Sequence, residues 1–410
     1  MVVVNNNVFR WGRSIVVPAL MLFACNKSKG IDQPDTDTQN RDTATESSSV
    51  SDSSSASDSD TGSMIDTDYS DYHYPFTPDE LFDTDTNGDC VHPVVEADCQ
   101  EGWCTIPPGC FIAGSPESEI NRSVWTENQV QITLTYSFAM AATEVTQKQW
   151  TDAGFDVPPN NTSGDNLPVA WVNWFEAAAW CNAMSIKEGL EPCYDLSSCT
   201  GDIGSGCPEG DFYQWGCERV QGSPENRVDG LYVCEGDPHL YEKRYECPGY
   251  RLPTQAESEY ATRAGTRTAT YNGSIRYATY QAEPALEPIA WYCTNSGGIA
   301  HEVATLRPNN WGLYDLLGNL VEFLDAQNTE NSIDDDEGIP GGPLVNPVGA
   351  PFNLEREPRG RKDSFRDDVP SGWNRAASMG MIDYLGRGFN YGFRPVRTLS
   401  LAADTDSSSD

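Results

Sequence analysis

Hydrophobic positions keep a regular period only in short stretches of this chain. Val130-Gln131-Ile132-Thr133-Leu134-Thr135-Tyr136 alternates with a period of two and predicts a half-exposed strand. Phe138-Ala139-Met140 follows, and Thr143 or Thr146 stands where a helix through Trp150 would be capped. Leu167 to Trp174 is a short apolar run. It gives way to Phe175-Glu176-Ala177-Ala178-Ala179-Trp180-Cys181-Asn182, rich in good helix formers. Thr254 and Glu257 have capping-box spacing just after Pro253, which predicts a helix ending at a Gly265 C-cap. The yield of regular elements is low for so long a chain.

The stretch Arg307 to Asp325 breaks its own pattern. Leu313, Leu316, Leu317, Leu320, Phe323 and Leu324 approach helical spacing, but Gly318-Asn319 interrupts them. Glycine costs about 1 kcal/mol inside a helix, so its place here points to a turn or a close backbone approach. Asp315 and Glu322 flank the glycine. Pattern alone allows two readings, a core segment with two solvated carboxylates or an oxygen-ligand cation site.

The N-terminus carries Arg10 and Arg13, then the apolar run Ile15 to Ala24, about half of what spans a bilayer. It ends Leu22-Phe23-Ala24-Cys25, which resembles the lipobox of bacterial lipoproteins. Residues 1–24 are therefore expected to be a signal peptide and Cys25 the lipidated residue. Asn26 rather than Asp after it favours the outer membrane, facing periplasm or surface. Residues 25–88 are rich in Ser, Asp and Thr and have too little apolar surface to offset chain entropy, which predicts a disordered tether. Asp83 to Gly88 starts like a calcium loop, but Val94 occupies the twelfth position where Glu is needed. The folded domain is expected over 89–400, with a cysteine-rich insertion at about 188–249 and a disordered acidic tail at 401–410.

Thirteen cysteines contain no CxxC pair, which argues against zinc ribbons. Without Cys25 they form an even dozen, expected to be fully paired as disulfides in an exported protein. Cys90, Cys99, Cys104 and Cys110 are close enough to staple the domain entrance. The four histidines, His73, His92, His239 and His301, lack metal-ligand spacing. With 62 acidic and 26 basic residues the formal charge is -36, a field that repels a phosphate backbone and excludes nucleic acid as a partner.

Six segments taken together resemble the formylglycine-generating enzyme, or sulfatase-modifying factor, family. They are Gly109 to Ser115, Phe138 to Trp150, Pro168 to Asn182, Arg251 to Gly265, Pro308 to Phe323 and Gly392-Phe393-Arg394, in family order. Gln255, Ser258, Val321 and Phe323 depart from the family pattern. The resemblance implies an α+β, irregular, loop-rich, C-type-lectin-like fold, disulfide-stapled. It also implies a structural calcium held by Asp315, the carbonyls of Gly318 and Leu320, and Glu322.

The family's oxidase resembles a copper enzyme with two thiols five residues apart. Those positions fall at about Asp367 and Gly372, and no cysteine lies beyond Cys293. A carboxylate and a glycine cannot replace soft Cu(I) ligands, so copper is not expected. The expected function is a membrane-anchored binding or scaffold module with an unidentified peptide, glycan or protein ligand. Trp171, Trp174, Trp311 and Trp373 are candidates to line its groove. The alternatives are a formylglycine-generating oxidase acting on sulfatase cysteines or a diverged enzyme of that family, and a purely structural envelope component.

Overall fold

A computed structural model of the protein describes residues 90, 92–93, 95–124, 126–158, 161–204, 230–327, 343–348, 358–361, 369–382 and 384–400. The expectations for Cys25, the segment 25–88, Asp367 and the tail 401–410 lie outside them, as do Cys207 and Cys217.

The alternating run forms strand β4 (Val130–Leu134), antiparallel to β3 (Gly109–Ala113) and parallel to β8 (Leu344–Val345). A five-stranded sheet runs in the order β1 (Cys99–Gln100), β2 (Trp103–Ile106), β5 (Ser137–Ala141), β12 (Val396–Ser400), β6 (Tyr250–Arg251). A third sheet runs β10 (Met379–Met381), β9 (Pro358–Arg361), β7 (Val321–Gln327), β11 (Tyr391–Phe393). β11 lies parallel to β7 with Gly392 opposite Glu322. The chain then turns at Arg394-Pro395 into β12, so one corner joins two sheets.

Thr146 rather than Thr143 caps α1 (Gln147–Asp152), and Gln149 returns the bond. α2 (Trp174–Lys187) outruns the helix-former stretch because Asn173 caps it, with Glu176 as the box partner. Glu176 is buried and paired with Arg387. α3 (Gln255–Arg263) starts at the Thr254–Glu257 box as predicted, but its left-handed cap is Ala264 (φ 43°), one residue before Gly265 (φ 95°). Glu257 also takes Arg251 Nη1 and Nη2 at 2.7 and 2.6 Å and the Tyr136 hydroxyl at 2.9 Å. A buried carboxylate is tolerated when its oxygens are paired and hydrogen-bonded in this way.

Cys90–Cys110 and Cys99–Cys104 staple the entrance, and Cys193–Cys247 and Cys199–Cys234 hold the insertion. Such bridges are a mark of an extracytoplasmic compartment. Cys181 joins none of the four, which corrects the expectation that all twelve are paired. It is buried in α2, and burial pushes its thiol far above its usual range; Cys293 is buried in the loop after Trp291. The stretch 307–325 is not helical. Asp315, Gly318 and Asn319 have φ of 54°, 82° and 53°, left-handed values that no α-helix contains, and the chain straightens into β7 at Val321.

Candidate functional site

The bend at Gly318 is forced by a close approach. A Cβ at that position would collide with the backbone of Trp291, and the Asn319 N–H donates to the Trp291 carbonyl at 2.7 Å. The turn therefore lies flat against the loop that follows Trp291. Its carboxylates are not solvated: Asp315 and Glu322 are each 2% exposed.

A third carboxylate, Glu144, sits beneath the turn at 0% exposure. It accepts Asn319 Nδ2 at 2.8 Å and the Leu320 N–H at 2.9 Å. Arg394 reaches in from the corner after β11. Its Nε and Nη2 lie 3.0 and 2.8 Å from Glu322 Oε1, and it also donates to the carbonyls of Ala141 and Tyr314 at 3.0 and 2.7 Å. Three buried carboxylates thus share one guanidinium. Burial first, then the charges of Asp315 and Glu322, hold Glu144 well above the usual carboxylate range. Burial lifts Asp315 to about 6 against the pull of the Ala304 N–H and Arg394.

This arrangement fits a hard divalent cation. Asp315 Oδ2 accepts the Ala304 N–H at 2.7 Å, while Asp315 Oδ1 is buried with no hydrogen-bond partner. An orphaned carboxylate oxygen in a carboxylate-rich turn is what a cation ligand looks like without its ion. Among the described residues, no three Asp, Glu, His or Cys groups converge closely enough to hold a metal by themselves. Any ion here therefore relies on main-chain oxygens as well, as the set Asp315, Gly318, Leu320 and Glu322 does. Glu144 and Arg394 were not anticipated from the sequence as part of the site. Their only signal was membership in the Phe138 to Trp150 and Gly392-Phe393-Arg394 segments.

Near the other face of the turn lies an open groove of about 130 Å³. Leu320 is buried and does not line the groove, but packs from beneath with Ala170, Trp171, Ala300 and Phe389. Trp171 has φ 58°, a strained value for a bulky residue, of a kind that costs about 1–3 kcal/mol and gathers at ligand clamps. Two anchors hold it there. Asn161 clasps the preceding residue, accepting the Ala170 N–H at 2.8 Å and donating to its carbonyl at 2.9 Å. The Trp171 N–H donates to the Gly388 carbonyl at 3.0 Å. Across the groove Ile299 is 61% exposed. Trp174 and Trp311, the other candidates described so far as groove liners, are core residues, and Trp373 is exposed but does not line this groove.

A second, shallower depression of about 490 Å³ lies over Trp103, Tyr250 and Arg397. There Arg397 covers the Tyr250 ring and pairs with Glu188, which also accepts the Tyr250 hydroxyl, so its principal polar groups are engaged with one another.

At the positions that the resemblance gave to copper thiols, Gly372 is buried and a Cβ there would collide with Asn121. Cys181 and Cys293 belong to separate hydrophobic clusters. Cys293 Sγ lies 3.8 Å from Ser371 Oγ.

The family model described as "Sulfatase-modifying factor enzyme 1-like domain" matches residues 92–399. The chain is similar to "Chaperone protein LppX" of Paenibacillus barcinonensis, 28% identical over 239 residues that cover 54% of this chain and 72% of that protein. It is also similar in structure to Treponema denticola variable protein 1, with 23% identity, a TM-score of 0.49 and coverage of 72% of this chain and 95% of that one. PvdO from Pseudomonas aeruginosa gives 18% identity, a TM-score of 0.47 and coverage of 72% and 94%.

Proposed function

We propose, for a chain that belongs to the sulfatase-modifying factor enzyme 1-like domain family, the role of a polypeptide-binding module on the outside of the cell. Its loop-rich α+β, C-type-lectin-like scaffold serves to present the Trp171 groove. The observation that carries the reading is the clamped, left-handed Trp171 beside exposed Ile299, an aromatic surface held rigid before any ligand arrives. The chaperone name of the LppX relative favours an unfolded polypeptide as the ligand over a glycan. Lipidation of Cys25 anchors the module to the outer membrane, periplasmic or surface-facing, and fatty-acid labelling that disappears in Cys25→Ala checks this.

Oxidase activity is not part of this role. The described thiols are buried in separate clusters, and glycine rather than cysteine stands at position 372, which supports a scaffold without a dithiolate.

An unfolded, carboxymethylated model protein is the probe. It should bind the full-length chain saturably, and Trp171→Ala should weaken binding by about tenfold, as loss of an aromatic hot spot does. Equal binding by wild type and variant would remove the groove. Binding of no polypeptide, with a hit on a glycan array, would change the ligand class, and neither would leave a structural envelope component. Formylglycine formation in a sulfatase peptide with Cu(I) would restore the enzyme reading.

Calcium is the structural ion of this reading, with Asp315, the carbonyls of Gly318 and Leu320, and Glu322 as its ligands. It supplies the positive charge that Arg394 alone does not. Saturating Ca²⁺ over chelator should raise the melting temperature by about 5 °C, the scale expected for an ion at about 100 times its Kd. Asp315→Asn should abolish that difference. Identical melting with and without chelator in the wild type would remove the site.

A further inference from the structure

The groove and the carboxylate turn share a wall. Residues 298–300 line one side of the groove, and the segment runs on through 301–304, which three hydrogen bonds tie to the turn. The Asn319 side chain accepts the His301 N–H at 3.0 Å and donates to the His301 carbonyl at 3.3 Å, while the same Nδ2 donates to Glu144 at 2.8 Å. The Ala304 N–H donates to Asp315 Oδ2 at 2.7 Å. The Trp291 ring stacks on His301 at 3.7 Å, beside the carbonyl that receives the Asn319 N–H. At its far end, the Val303 N–H donates to the Asn166 carbonyl at 3.0 Å, next to Leu167 and Pro168 of the facing wall.

The segment leading into this wall carries two glycines in left-handed conformation. Gly297 and Gly298 have φ of 66° and 77°, and Gly297 has open space around it. Glycines in this region of φ put little steric restraint on the segment from its own backbone, so its order comes from its contacts, and the ties to Asn319 and Asp315 are those that link it to the turn. Both residues belong to the turn, and one of them is a ligand in the calcium reading above.

We propose that Asn319 couples the turn to the groove: a divalent cation on the turn orders residues 298–304 and so raises the affinity of the groove for its polypeptide. The proposal rests on the calcium reading and adds to it a direction of control. No groove-lining residue is a cation ligand, so the effect on the ligand is indirect. By linkage, a polypeptide in the groove tightens the hold on the cation by the same factor.

The test uses the full-length chain and Ca²⁺ alone. Hydrogen–deuterium exchange of peptides covering 298–304 is measured with Ca²⁺ and with chelator, in the wild type and in Asn319→Gly. Glycine adopts the left-handed φ of Asn319 without strain, so this variant keeps the backbone of the turn and all four proposed ligands while removing the side chain and its bond to Glu144, which retains the Leu320 N–H. In the wild type Ca²⁺ should slow exchange of these amides by about tenfold, within the usual range of coupling between sites. In Asn319→Gly, calorimetry should find Ca²⁺ still bound while the slowing falls below about twofold. Ca²⁺ that binds the wild type and leaves 298–304 unchanged overturns the coupling but keeps the ion, as does full protection in Asn319→Gly. Absence of Ca²⁺ binding overturns both. The wild-type comparison decides by itself if Asn319→Gly does not fold.

Discussion

Replacing Arg394 by alanine is expected to destabilise the domain by about 3–5 kcal/mol in calcium-free buffer at neutral pH, the usual cost of stripping the partner from a buried charge. Arg394 is fully buried and holds Glu322, and the charges of Glu144 and Asp315 also act on it. Its removal leaves three carboxylates in a site that water does not reach, and frees the carbonyls of Ala141 and Tyr314. Lysine should recover part of the loss, because it restores the charge but cannot reproduce the two-pronged contact with Glu322 and the two carbonyl bonds together. Urea denaturation followed by fluorescence measures both variants. A loss below about 1 kcal/mol for alanine would mean that the carboxylates do not depend on this guanidinium.

The second large effect is expected at His239, in the insertion. Its Nδ1 lies 2.6 Å from Asp237 and its Nε2 2.7 Å from Asp325 on β7, while Arg244 stands 3.4 Å from the same Asp325 oxygen. The Tyr194 hydroxyl faces Asp325 at 3.4 Å, and Arg251 and Cys181 complete the charged and titratable surroundings. Burial by itself lowers the histidine; the charge of Asp325 and the bonds to Asp237 and Asp325 outweigh it and hold His239 above 6.5. Burial likewise raises Asp325, and His239 outweighs that, holding it below 3.8.

A raised histidine contributes stability that is complete below its unfolded value and is lost as pH rises through the folded one. A depressed carboxylate contributes stability that is complete above its unfolded value and is lost as pH falls through the folded one. The contribution is therefore greatest between about pH 4 and 6.5. His239→Gln should cost about 3 kcal/mol at pH 5.5, because Asp325 stays buried without the imidazolium. The gap to the wild type should shrink as pH rises from 6.5 toward 8.5. A gap that is constant or widens with pH would contradict the assignment. Asp237 is half exposed, and solvent screens its share.

Local signals were read well where the chain makes its own contacts. The Thr254–Glu257 box, the β4 alternation and the entrance disulfides all depend on residues close in sequence, and each is present. In 307–325 the glycine signals the turn and the close backbone approach, and both are present against Trp291; the solvation of Asp315 and Glu322 is not legible locally, because packing across the chain buries them. Twelve thiols suggest six bridges, but Cys181 faces the core from α2 and joins none of the described four, because pairing depends on which side chains packing brings together.

The sequence by itself determined which six segments appear and in what order, that Asp315 and Glu322 flank a glycine, and that no cysteine follows Cys293. Order and spacing are properties of the chain, and loss of a thiol is a change of chemistry that folding cannot undo. Only the tertiary structure decided that those carboxylates are buried, that Glu144 and Arg394 join them from 171 and 72 residues away, that Asp315 keeps an unpaired oxygen, and that Trp171 rather than Trp174 or Trp311 lines the groove. The physical reason is that desolvation and charge sharing depend on groups brought together across the chain. The bend at Gly318 becomes a candidate site only when β11, the loop after Trp291 and the β5 end close around it.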